Sequence, residues 1–155
     1  MSTPLKLFLL ALLVIVLVPA VSIVVPNVMN ARERGKQKRT MSAMRSIATG
    51  CESYSIDNNQ YPNFPVATTQ GFDELMRLLE PTYGKEIVRV DGWGTQFIYQ
   101  STKSEYTITS FGADRLPDSV SSPGTIHPNG GTRHFNADII FSTGSFTQFP
   151  DGTRT

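Results

Sequence analysis

A second cysteine is missing from this 155-residue chain, so Cys51 has no intramolecular disulfide partner. Charge is also scarce. Asp, Glu, Lys and Arg make up 17% of the residues and the net charge is +1, which leaves no global field to draw in nucleic acid. No HExxH, GxSxG, P-loop or paired-cysteine metal motif is present. The two histidines, His127 and His134, share one loop-like stretch and read as solvated side chains. Together these absences argue against an enzyme. Charged residues are absent from Leu7 to Val25, and proline is absent from Asn27 to Asn58.

The uncharged stretch dominates the chain. Its nineteen residues make a helix of roughly 28 Å, close to the ~30 Å hydrocarbon core of a bilayer. It reads as a transmembrane anchor or, alternatively, as an export signal cut after Ala20. Pro19 and Pro26 interrupt its hydrogen-bond ladder, which a membrane helix tolerates when neighbours re-satisfy the freed carbonyls. Arg32, Arg34, Lys36, Lys38 and Arg39 crowd its far flank, opposed only by Glu33. This run suits anionic lipid head groups or an ordinary solvated helix face. By the positive-inside rule it would lie in the cytoplasm.

Beyond the anchor (1–26) the spacing predicts an amphipathic helix over 27–58. Met41, Met44, Ile47, Ala48, Cys51 and Tyr54 recur in steps of three and four, which puts them on one face. Asp57-Asn58-Asn59-Gln60-Tyr61-Pro62 ends the helix. A short helix follows over 69–80, with Thr69 as N-cap, acids in its first turn and Pro81 as its stop. Asp91-Gly92-Trp93-Gly94 reads as a turn. Alternating stretches between 96 and 149 predict antiparallel strands, broken by a long loop over 112–136 and closed by a Thr143-Gly144 hairpin. The expected fold is α+β: one long N-terminal helix packed on a small antiparallel sheet. With much of the apolar content spent in the first 25 residues, the core is small, and a bound ion or assembly is expected to support it.

Several of these motifs, in this order, resemble the major pseudopilin of type II secretion systems, within the type IV pilin-like superfamily. Val25-Pro26-Asn27 is similar to the Ile-Pro-Asn that follows the apolar segment there. Lys36–Thr40 and the run from Tyr54 to Pro62 resemble stretches of that family, where the second closes the long helix. Asp91-Gly92-Trp93-Gly94, Ser110-Phe111-Gly112-Ala113-Asp114 and Ala137-Asp138-Ile139 resemble later family motifs. The resemblance implies a pilin-like fold and a structural subunit of a secretion pseudopilus or related filament that aids protein export. It implies an inner-membrane, single-pass chain with its globular domain on the periplasmic side, against the charge rule. The implied partners are copies of itself, other pilin-like subunits, an inner-membrane assembly platform and membrane lipid, with no nucleic acid.

The resemblance also implies one Ca²⁺. Its carried-over ligands are Asp114, Asp138 and the backbone carbonyl of Phe111, with Asp118 added by proximity. The chain departs from the family in the loop between Asp114 and Asp138, which is much longer, and at three positions. Arg115 stands where a glycine is usual. Pro4 replaces the glycine before the mature start at Leu5, and Leu9 replaces the glutamate expected there. These departures keep a second reading open, a membrane-anchored, calcium-stabilised binding module that does not enter a filament.

Overall fold

The computed structural model describes residues 3–119 and 130–151. Within its first helix, side chains are described at Pro4, Leu12, Leu13 and from Val24 onward. The side chains of Leu5, Leu9, Pro19 and Ala20, the 120–129 part of the long loop and His127 therefore lie outside the described residues. Contacts divide the chain into two compact units, Met1–Arg34 and Gly35–Thr155. Among the described residues no helix is long and apolar enough to cross a membrane, and the Leu7–Val25 span falls mostly on side chains outside that set.

Helix α1 runs from Thr3 to Asn58. The proline-free stretch lets the ladder continue, and the terminating signal acts where the sequence places it. Asn59 follows in the left-handed region at φ 56°, a conformation that asparagine tolerates better than most residues. In the first unit, Val24, Val25, Val28 and Met29 are exposed apolar side chains.

In the second unit the stripe on α1 is the core. Met41, Met44, Ile47, Ala48 and Cys51 are all buried, and Tyr54 packs at its edge. Helix α2 spans Thr69–Leu79 and adds Phe72, Leu75, Met76 and Leu79. Its N-cap is Thr68, not Thr69: the Thr68 hydroxyl accepts from the Gly71 amide at 2.9 Å. Asp73 and Glu74 then fall beyond the first turn, so no acid meets that end of the helix. Glu80 is extended, as a residue before proline prefers, and Pro81 follows.

Five strands complete the unit: β1 Ile98–Ser101, β2 Tyr106–Ser110, β3 Gly131–Thr132, β4 Ile139–Ser142 and β5 Ser145–Pro150. Their order is β1-β2-β4-β5-β3. The pairs β1–β2, β2–β4 and β4–β5 are antiparallel, as the alternation suggests. The β4–β5 hairpin turns on Thr143 and Gly144, both at positive φ, the geometry of a two-residue hairpin loop. Strand β3 lies inside the 112–136 stretch and pairs parallel with β5, so the sheet is mostly rather than wholly antiparallel. A two-residue strand has too little alternation to be legible in sequence.

Aromatic side chains join sheet to helix. Tyr99, Tyr106, Phe97, Ile108 and Ile139 are fully or almost fully buried. Glu52 of α1 accepts from the hydroxyls of Tyr61 and Tyr106 at 2.9 and 3.0 Å, and those two rings meet edge to face. Pro62 is held alongside β1, where its carbonyl accepts from the Tyr99 and Ser101 hydroxyls. The helix end is thereby tied to the sheet.

Candidate functional site

Two constellations lie where the loops meet the sheet. The first is built on Asp91, a buried carboxylate. Its Oδ1 accepts from the amides of Trp93 and Thr95 at 2.9 and 2.8 Å, and its Oδ2 accepts from the Ser110 hydroxyl at 2.7 Å. Buried acids need such partners. The Asp91-Gly92-Trp93-Gly94 motif is thus a turn folded around its own carboxylate and anchored to β2.

Gly92 is the point where this turn meets α1. A Cβ there would lie 2.4 Å from the Lys36 carbonyl oxygen. The Gly92 amide donates to the Thr40 hydroxyl at 2.8 Å, and that hydroxyl donates to the Lys36 carbonyl at 2.9 Å. Gly94 takes φ 86° and completes the turn. Sequence reading found this turn but not its contact, because Thr40 and Gly92 are 52 residues apart.

The second constellation holds the residues carried over for an ion. The structure brings Asp118 and Asp138 together. The Asp138 amide donates to both Asp118 carboxylate oxygens at 3.2 Å, and the Asp118 amide donates back to Asp138 Oδ2 at 3.2 Å. Gln148 of β5 also donates to Asp118 Oδ2, at 2.5 Å. Asp138 is buried, and its Oδ1 has no hydrogen-bond partner. Burial pushes its carboxyl up to about 7, and the negative charges of Asp118 and Asp114 add to that rise against the lowering effect of the backbone bond with Asp118.

Asp114 is half-buried on the neighbouring turn, where it accepts from the Leu116 amide at 3.1 Å. Phe111 directly follows β2. Beside it, Gly112 at φ 65° is pressed on the other loop: a Cβ there would lie 2.7 Å from the Ala137 carbonyl oxygen and 2.8 Å from that of Asn136. Ala113 N–H donates to the Phe135 carbonyl at 2.9 Å. The two loops that carry the four predicted positions are therefore in direct contact. Asp118, the weakest candidate in sequence, is the acid that meets Asp138. Gln148 was missed, since nothing in its strand pattern marks it as a donor to an acid 30 residues away.

No group of three or more His, Cys, Asp or Glu side chains among the described residues is placed to hold a metal ion. An ion here would need neutral oxygens beside its carboxylates. His134 is exposed and takes no place in either constellation.

Arg115 explains itself in this geometry. It occupies φ 61°, the left-handed conformation for which glycine is the usual choice. Its guanidinium donates to the Trp93 carbonyl at 2.8 Å, linking the acid-bearing turn to the Asp91 turn.

A family model described as type II secretion system, protein G, matches residues 27–128, which is most of the chain. This chain belongs to the type II secretion protein G family. Among its relatives are proteins named type II secretion system core protein G. That of Dickeya chrysanthemi is 27% identical over 149 residues, covering 83% of this chain and 94% of the relative. That of Pectobacterium carotovorum is 31% identical, covering 70% and 76%. That of Escherichia coli K12 is 29% identical, covering 68% and 79%. No solved structure matches the chain. The resemblance read from the motifs between Val25 and Phe149 is borne out, and so is the α+β, pilin-like fold. In this chain the Asp91 turn, bonded to Ser110 of β2 and to Thr40 of α1, seats the sheet on the long helix.

Proposed function

We propose that this protein is a structural pseudopilin, a subunit of a type II secretion pseudopilus that aids protein export. The single observation that carries the reading is the family match over 27–128 on a chain whose long helix packs against a small sheet. In this reading the exposed apolar side chains Val24, Val25, Val28 and Met29 belong to a surface covered by lipid or by neighbouring helices. The chain is held in the inner membrane by residues 7–25, and its second unit faces the periplasm. Its partners are copies of itself, other pilin-like subunits and the inner-membrane platform. Its task is mechanical, so the reading assigns no catalytic step to any side chain.

We also propose one Ca²⁺ at the second constellation, held by two acids together with neutral oxygens. The buried Asp138 oxygen without a hydrogen-bond partner, beside the Asp118 carboxylate, supplies hard oxygen donors of the kind calcium takes. Asp118 and Asp138 would hold the ion, with Asp114 and the carbonyl of Phe111 as further oxygen donors. When bound, it neutralises the acids and adds binding free energy to a domain with a small core.

The test is complementation. A secretor strain deleted for its own protein G should regain export when this chain is supplied with its matching platform. Protease added to spheroplasts should cut the second unit. A folded, membrane-fractionated chain that neither restores export nor self-associates would refute the reading.

A further inference from the structure

Between α1 and the β4–β5 hairpin lies an open groove of about 190 Å³. Buried Met41, Phe141 and Phe149 form its floor, and Arg45, Ser145 and Phe146 form its rim. The Arg45 guanidinium rests 5.3 Å above the centre of the Phe146 ring. Arg45 is exposed and has no carboxylate partner among the described residues. The groove is thus apolar with one unmatched cation at its lip, a combination that suits an apolar side chain with a carboxylate nearby.

The same unit carries the complement on the other flank of α1. There Gly50 faces Leu79 and the Tyr83 carbonyl, and Gly92 faces Lys36. In the segment between these contacts only Ile87 is buried, and Arg89 is exposed with its neighbours. Ile87 points inward and is buried, whereas Glu86, Val88 and Val90 are exposed. Glu86 has no cation partner among the described residues; Arg89 beside it is paired with Glu80 at 2.7 Å. Exposed valines beside an unmatched acid are what the groove lacks.

We propose that the groove receives the Glu86–Val90 strip of a second copy of this chain, with Val88 seated on the phenylalanines and Glu86 against Arg45. This rests on the pseudopilin reading above and names a contact within it. The two surfaces lie on opposite flanks of one helix, so the contact is heterologous. Repeated by one operator it does not satisfy itself in a dimer and propagates beyond it, into a ring or an open chain.

The test uses the full-length chain in membranes. A Val88→Cys, Ser145→Cys double variant, under mild oxidation, should give a ladder of dimers, trimers and longer species, and neither single variant should. Arg45→Glu or Glu86→Arg should lower the ladder about tenfold, and the combined swap should restore it. Lysine-reactive cross-linking of the parent chain reads self-association independently. Assembly by that assay without a Val88–Ser145 bridge overturns this contact and leaves the pseudopilin reading standing. No assembly in either assay overturns both. Dimers alone, or a Ser145→Cys bridge only to an unlike subunit, also overturn the proposal, since the first demands a self-paired interface and the second a different occupant.

Discussion

Replacing Gly92 by alanine is the sharpest test of how this fold is held together. The added methyl would sit 2.4 Å from the Lys36 carbonyl oxygen and 2.8 Å from its carbonyl carbon and Cα. All three are helix backbone, which has no rotamer to escape into. Relief requires the turn and α1 to part by about 1 Å, for which overpacking costs about 1–3 kcal/mol. That movement also stretches the 2.8 Å bond from the Gly92 amide to the Thr40 hydroxyl, whose loss adds about 1 kcal/mol. The expected destabilisation is about 2–4 kcal/mol, or roughly 10 °C in the melting temperature of a unit this size. Gly94→Ala is the control. Nothing lies within 4 Å of its Cβ, but φ is 86°, so only backbone strain of about 1 kcal/mol applies. Thermal unfolding of the full-length variants by circular dichroism decides the matter. If Gly92→Ala melts within 2–3 °C of the parent, or above Gly94→Ala, no separation of about 1 Å is forced and the close approach does not hold the fold.

Three further outcomes follow from the geometry. The Asp138 carboxyl is raised from 3.8 to about 7, so in chelator its ionisation opposes folding: the contribution is favourable below about pH 4 and is lost as pH rises through 7. Asp138→Asn should therefore be more stable than the parent at pH 8 in chelator, by about 2 kcal/mol after screening by water, yet lose any stabilisation by added Ca²⁺; calorimetry that shows equal calcium shifts for both chains would remove Asp138 from the ion's ligands. Tyr106→Phe strips one of two hydroxyls from Glu52 and should cost about 1–2 kcal/mol in urea unfolding, whereas a neutral result would mean that the 3.0 Å bond contributes nothing net. Cys51 is fully buried and its thiol is pushed up to about 12 by desolvation, so iodoacetamide at pH 8 should modify it only on unfolding, and rapid native labelling would contradict its place in the core.

Local chemistry was readable from the chain alone. The stripe from Met41 to Cys51 fixes which face of α1 is buried, because a 3.6-residue period leaves no other face apolar enough. Asn58-Asn59 ends that helix and Thr143-Gly144 turns the hairpin, since each acts through its own backbone preference. The order of motifs also carried the family. Boundaries that depend on one hydroxyl slipped by a residue, as at Thr68.

Tertiary structure decided what spans long separations. That Gly92 needs to be glycine follows from the passage of Lys36 beside it, and no local pattern encodes that approach. That Asp138 meets Asp118 rather than standing in solvent follows from two loops pressed together through Gly112. That the Arg115 guanidinium reaches the Trp93 carbonyl, 22 residues away, follows from the same closure of loops on one another. Sequence sets the periodicity and the turns because those are short-range energies. Which loop touches which helix is settled only when the sheet and α1 close on one core.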